Sequence, residues 1–191
     1  VDKGSARKKG FIVDDVKPLN VLNVYSDKLQ MCIDQEMIEE KSNEITAIPE
    51  VIKRLNLTNV ICTWDALNTQ KDNIKAVSTK KGDYCVALKA NQGNFYKDVY
   101  AMFDDKYMDT TDKECEYEMY TTIEKGHGRI EKRTCYVLNE VAFFTDYLAN
   151  WKGLKKIFAV KREVEKDGKK TKEISCYLSS KNTTAEKLLS Y

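Results

Sequence analysis

The sequence predicts an α/β protein. Three observations carry that prediction: an apolar, β-branched run at residues 60–64, the order strand, helix, strand, helix over residues 60–103, and a switch to period-two alternation after residue 116. A short apolar run without polar alternation suits a strand buried on both faces. Strands that alternate with helices imply a sheet with parallel members.

The elements follow in chain order. Alternating apolar positions at residues 19–25 and 29–33, joined by Ser26-Asp27-Lys28, predict a strand pair with a tight turn. Ile45, Ile48, Val51, Ile52 and Leu55 recur at helical spacing, with Pro49 placed near the first turn, where a missing N–H is tolerated. Residues 60–64 form a central strand ending at Asp65, followed by a helix over 71–79, a breaker at Lys81-Gly82-Asp83, a strand over 84–88 and a helix over 93–103. Residues 116–123 and 130–138 alternate around Gly126-His127-Gly128, which predicts a β-ribbon over 114–140. A short helix near 143–148 precedes a hairpin of 156–165 and 170–178 turning at Asp167-Gly168, a favoured hairpin dipeptide. Thr183-Thr184-Ala185-Glu186 reads as a capping box opening a last helix.

With 191 residues the chain has the size of one domain, taken as 1–191. Its 42% hydrophobic and 32% charged residues describe a globular protein with a charged surface. No apolar run approaches the roughly 18 residues of a membrane span, and no apolar segment follows the polar N-terminus as in a signal peptide. The expectation is a cytoplasmic protein with no membrane partner. Six widely spaced cysteines, at 32, 62, 85, 115, 135 and 176, lack the spacing of a zinc knuckle or redox pair and are read as buried small hydrophobes. The net charge of +2 is uninformative, but its distribution is uneven. Residues 152–172 hold nine Lys or Arg against three acids, and residues 104–118 hold seven acids against two lysines. Such segregation suits a face turned to a polyanion, and ordinary solvated charge explains it as well.

Asp65 is the leading candidate for chemistry. It leaves the carboxyl end of a central strand, where ligands gather in open α/β sheets. Taken alone, an Asp in that place is more often a helix cap. Asp2 is a second carboxylate; by itself it reads as a terminal residue. Two carboxylates on adjacent strands suit Mg²⁺, a hard ion taking oxygen ligands. Two such ions about 4 Å apart would activate an attacking hydroxyl and stabilise the leaving oxygen. Glu186 is the one acid of the last helical segment, at a capping position. Lys89, Asn91 and Gln92 follow a strand end and border the crevice, or form a polar turn. Lys155 and Lys156 open a basic hairpin with the charge for salt-sensitive backbone contacts.

Glu40-Lys41-Ser42-Asn43-Glu44-Ile45 with Ala47-Ile48-Pro49-Glu50, Thr63-Trp64-Asp65-Ala66 with Gln70-Lys71, Asp83-Tyr84 with Ala87-Leu88-Lys89-Ala90-Asn91-Gln92, and Glu124-Lys125-Gly126-His127-Gly128-Arg129-Ile130-Glu131-Lys132-Arg133 together resemble the ISAs-type branch of DDE insertion-sequence transposases. The four blocks cover nearly the whole chain in order. The resemblance implies a ribonuclease-H-like mixed sheet with flanking helices and an inserted β-ribbon. It implies catalytic, metal-binding roles for Asp65 as the second carboxylate of the DDE triad and Asp2 as the first, with Mg²⁺ or Mn²⁺ in a two-metal site. Where the family reads Asp-Gly-Lys, this chain reads Asp2-Lys3-Gly4. The family's third carboxylate lies in a His-Trp-x-Ile-Glu-Asn segment that this sequence does not contain, so the expectation is a domain truncated at both ends and inactive alone. The resemblance also implies that His127, Arg129 and Arg133 contact DNA.

The expected function is therefore the catalytic domain of a bacterial, nucleoid-associated DNA transposase, acting on transposon ends and target DNA and dimeric in its full-length form. The alternative from another class is a non-catalytic DNA-binding or domesticated remnant. A third reading, an unrelated α/β nuclease, would complete its metal site with Glu186.

Overall fold

The computed structural model describes residues 20–38, 44–109, 116–126 and 128–191. These fall into two compact units divided after Leu55.

In the first unit, β1 (Asn20–Ser26) pairs antiparallel with β2 (Met31–Ile38), with a bulge between Val24 and Tyr25. The second strand starts two residues later than the alternation suggests. Gln30 takes a left-handed φ of 55° and its N–H closes on the Asp27 carbonyl at 3.2 Å, so the turn runs through residue 30. Helix α1 (Glu44–Arg54) buries Ala47, Ile48, Val51 and Ile52 on one face, as its spacing predicts. Pro49 lies deeper in this helix than the first turn, so its ring denies an N–H to the Ile45 carbonyl. Arg54 anchors the helix to β2, binding Asp34 at 3.0 Å and Glu36 at 2.7 Å.

The second unit is a mixed sheet of six strands with flanking helices. In chain order it comprises β3 (Ile61–Cys62), α2 (Lys71–Thr79), β4 (Asp83–Leu88), α3 (Asn94–Phe103), α4 (Asp105–Met108), β5 (Tyr117–Gly126), β6 (Arg129–Leu138), α5 (Thr145–Leu148), β7 (Lys156–Lys166), β8 (Lys169–Ser179) and α6 (Ala185–Ser190). The spatial order is β3-β4-β8-β7-β6-β5. Only β3 and β4 run parallel; the other neighbours are antiparallel. This is the α/β class that the sequence predicts, with its single parallel pair where the strand and helix alternation lies.

The ribbon over 114–140 is joined to the rest of the sheet, because β6 pairs with β7 from Arg129 to Val137. Its residues show why: Cys135, Val137 and Leu138 are buried, which a free two-stranded ribbon does not achieve. The β7–β8 hairpin turns at Asp167 and Gly168 with φ of 51° and 72°, the pair of positive angles that a two-residue hairpin loop requires.

Each face of the sheet has a core. On one, Tyr84, Val86, Leu88, Leu138, Ile157, Ala159 and Leu178 meet Ile74 of α2, Phe95, Val99 and Phe103 of α3, and Trp151. On the other, Cys85, Cys135, Val137 and Phe158 meet Ala185 and Leu188 of α6. Cys85, Cys135 and Cys176 are buried as expected, and burial pushes each thiol up to about 12. Cys32 departs from that reading, being exposed on β2, and Cys115 lies outside the described residues.

Among the described residues no helix is long and apolar enough to cross a membrane.

Candidate active site

Strand β3 is two residues long, shorter than the five-residue apolar run, so Asp65 follows the strand by three residues. Trp64 turns into the core while Asp65 is exposed. The carboxylate is fixed by its own loop: Asn68 donates both its backbone N–H and its Nδ2 to Asp65 Oδ1, each at 3.2 Å. Among the described residues no hydrogen bond reaches Oδ2. The helix-cap reading of Asp65 is not what the fold uses, since the cap of α2 is Gln70, without a side-chain bond.

Polar groups hold that loop, two of them fully buried. Thr69, with no exposure, sets its hydroxyl 2.8 Å from the Ala87 carbonyl of β4 and 3.2 Å from the Asp65 carbonyl. Asn73 of α2, also fully buried, donates to the Asn68 carbonyl at 2.9 Å. From the turn after β4, Asn91 donates to the Ala66 carbonyl at 2.8 Å and Gln92 to the Thr69 carbonyl at 2.6 Å. Asn91 and Gln92 thus have amide donors engaged by the Asp65 loop. Lys89, beside them, is exposed. Thr69 and Asn73 escape a sequence reading because their partners are backbone carbonyls distant in the chain or across a turn, and Asn68 because its bond to the Asp65 carboxylate is a feature of the folded loop. The one signal is the density of short polar residues after Asp65.

The basic residues divide between two places. Lys156 pairs with Ser179, which also faces Cys85 near the start of β4. Lys155 and Lys156 therefore sit level with the start of β4, whereas the Asp65 loop bonds Ala87 near the end of that strand. Arg129 and Arg133 lie on β6 with Glu131 between them. Glu131 is 3% exposed, and its carboxylate meets Arg133 at 2.6 Å, Arg162 Nε and Nη2 at 2.9 and 2.8 Å, and Arg129 at 3.4 Å. The hydrogen bonds from Arg162 lead in holding the Glu131 carboxyl down at about 2, well below its usual range.

The segregated charges seen in the sequence partly satisfy each other. Lys161, buried on β7, binds Asp105 at 2.7 Å, and Lys172 binds the other oxygen of the same carboxylate. The acidic and basic segments are thus joined across the fold, which removes two lysines from any surface offered to a polyanion.

The capping box at the last helix is displaced by one residue. Thr184 is the cap, accepting from the Lys187 N–H at 3.5 Å, and Glu118 of β5 accepts from the Ala185 N–H at 2.7 Å. Glu186 faces the Tyr120 hydroxyl, whose pKa that carboxylate raises. Among the described residues no three His, Cys, Asp or Glu side chains gather as a metal site. Asp2 and His127 lie outside the described residues. What the described site offers a hard cation is one anchored carboxylate with a free oxygen, a donor of the right kind.

Residues 4–189 match the family model described as the transposase DDE domain. The chain is 36% identical over 173 residues to the "H repeat-associated putative transposase YhhI" of Escherichia coli (strain K12), covering 88% of this chain and 45% of that protein. It is 34% identical over 188 residues to the "Putative transposase YncI" of Escherichia coli O157:H7, covering 97% of this chain and 45% of that protein. The chain thus spans a little under half the length of these curated relatives.

Proposed function

The chain belongs to the DDE transposase-domain family, and from that membership we propose that it forms catalytic-domain structure of an enzyme that cleaves DNA strands and joins them to new positions with the help of Mg²⁺ or Mn²⁺. The observation that supports this reading is the setting of Asp65: an exposed carboxylate beyond the parallel strand pair, with one oxygen anchored twice and its loop fixed by buried amides and a buried hydroxyl.

In this reading Asp65 is a metal ligand, with Asp2 as its partner. A divalent ion there supplies Lewis acidity for the attacking hydroxyl and the leaving oxygen. The chain's own contribution is preorganisation. Asn68 orients the carboxylate, leaving Oδ2 to face outward. Thr69, Asn73, Asn91 and Gln92 keep the loop from rearranging, so the ligand is already placed before an ion or DNA arrives. Asn68 and these four are positioning residues.

His127, Arg129 and Arg133 serve DNA by meeting backbone phosphate. Such contacts set affinity and register without reading sequence. A DDE site draws on three carboxylates. Asp65 and Asp2 supply two of them in this reading, so this chain by itself is assigned weak or no strand cleavage. Two titrations test the reading: Mn²⁺ binding that requires Asp65, and DNA binding that weakens as salt rises. Failure of both would sink it.

A further inference from the structure

A groove of about 420 Å³ crosses the sheet face that α6 partly covers. At one end it is lined by Thr63 and Trp64, the two residues before Asp65; at the other by Arg133, Arg162, Glu173 and Ser175. One concavity therefore connects the threshold of the candidate metal ligand with two guanidiniums on neighbouring strands, paired in register as Arg133 and Arg162.

Those guanidiniums are held. Both bind the same oxygen of Glu131, Arg133 at 2.6 Å and Arg162 at 2.9 Å, so they are immediate neighbours although like charges repel. Glu131 offsets the repulsion and, being buried, presents no charge of its own to the groove. Arg162 uses Nε–H and one Nη2–H on it, and Arg133 uses one N–H, so most donors of both side chains remain for a ligand. Arginines already fixed in place lose less conformational freedom when they bind an anion.

We propose that Arg133 and Arg162, set side by side by the buried Glu131, form a clamp for one backbone phosphate of the DNA strand that reaches Asp65. The inference rests on the DNA-strand reading above and adds to it Arg162 as a contact and Glu131 as a positioning residue. Ser175 supplies a further hydroxyl to the same wall. Glu173 faces Arg162 across the β7–β8 ladder and works against the clamp, since a carboxylate on the groove wall repels phosphate. That opposition gives the clamp a signature in both directions.

The test is anisotropy of a fluorescein-labelled DNA duplex titrated with the chain across a salt series. Arg162→Gln weakens binding about tenfold and lowers the slope of log K against log salt by about 1. Glu173→Gln, which keeps the bonds of Glu131 to Arg133 and Arg162 and removes only the carboxylate facing Arg162, tightens binding about threefold and steepens the slope. Lys97→Gln removes an equal charge from exposed α3, on the other face, and leaves both quantities alone. If wild type binds DNA but Arg162→Gln and Glu173→Gln both behave like Lys97→Gln, the clamp is overturned and the DNA reading stands. If wild type shows no binding even at low salt, both are overturned.

Discussion

The side-chain amide of Asn91 donates to the Ala66 carbonyl at 2.8 Å, so the turn that leaves β4 grips the residue next to Asp65. If the grip positions the carboxylate, Asn91→Ala loosens the loop. It is expected to lower stability by about 1 kcal/mol, the loss of one neutral hydrogen bond, and Mn²⁺ affinity by about tenfold, the low end for a residue supporting a ligand. Urea unfolding and calorimetric titration of one preparation measure both. A stability loss with unchanged Mn²⁺ affinity would make Asn91 a purely structural residue.

Glu131 makes stability depend on pH in a direction that can be worked out. Its folded pKa is lowered to about 2 from an ordinary 4.5, chiefly by the hydrogen bonds from Arg162. A depressed carboxylate contributes stability above its ordinary value, and that contribution fades as pH falls toward the folded one. Glu131→Gln removes the charge at every pH. The gap in stability between wild type and Glu131→Gln is therefore full near neutrality and shrinks between about pH 5 and pH 2. Thermal melts across that range check it, and a gap that stays constant contradicts the arginine cluster.

Lys161 and Asp105 form a lopsided pair. The lysine is buried and also lies 5.0 Å from the Tyr136 ring centroid, whereas the carboxylate is half exposed and shared with Lys172. Asp105→Asn leaves a buried ammonium short of its counter-charge, at a cost of about 1–3 kcal/mol. Lys161→Met removes the charge itself, keeps the bulk, and leaves Asp105 with Lys172. It is expected to cost less than Asp105→Asn in urea unfolding; the reverse order would show that the salt bridge, rather than burial of the stem, dominates.

How far the sequence discloses this fold follows from how local each signal is. Helix α2 begins and ends where periodicity places it, and Asp167-Gly168 announces its turn because the required positive φ angles belong to those two residues alone. The pairing of β8 with β4 is hidden, since nothing local at Tyr177 names Ala87 as its partner ninety residues earlier. Strand β3 is overestimated because packing of the partly buried Trp64 against the core, rather than a ladder, accounts for the apolar residue there. Asp65 was legible from its place after an apolar run and from the family blocks. Its supports were not, because Thr69 and Asn73 act through backbone carbonyls that only the folded chain brings near. The charged segments misled in part: Asp105 meets Lys161 and Lys172, and the basic surface is smaller than the sequence suggests.

Calorimetric titration of the chain with Mn²⁺ tests directly whether Asp65 is a metal ligand. Binding is expected for wild type and for Asp72→Ala, which removes an exposed acid from the first turn of α2, and is lost in Asp65→Ala. Equal binding by wild type and Asp65→Ala would contradict the claim. Absence of binding in both would leave a DNA-binding module in place of a catalytic one.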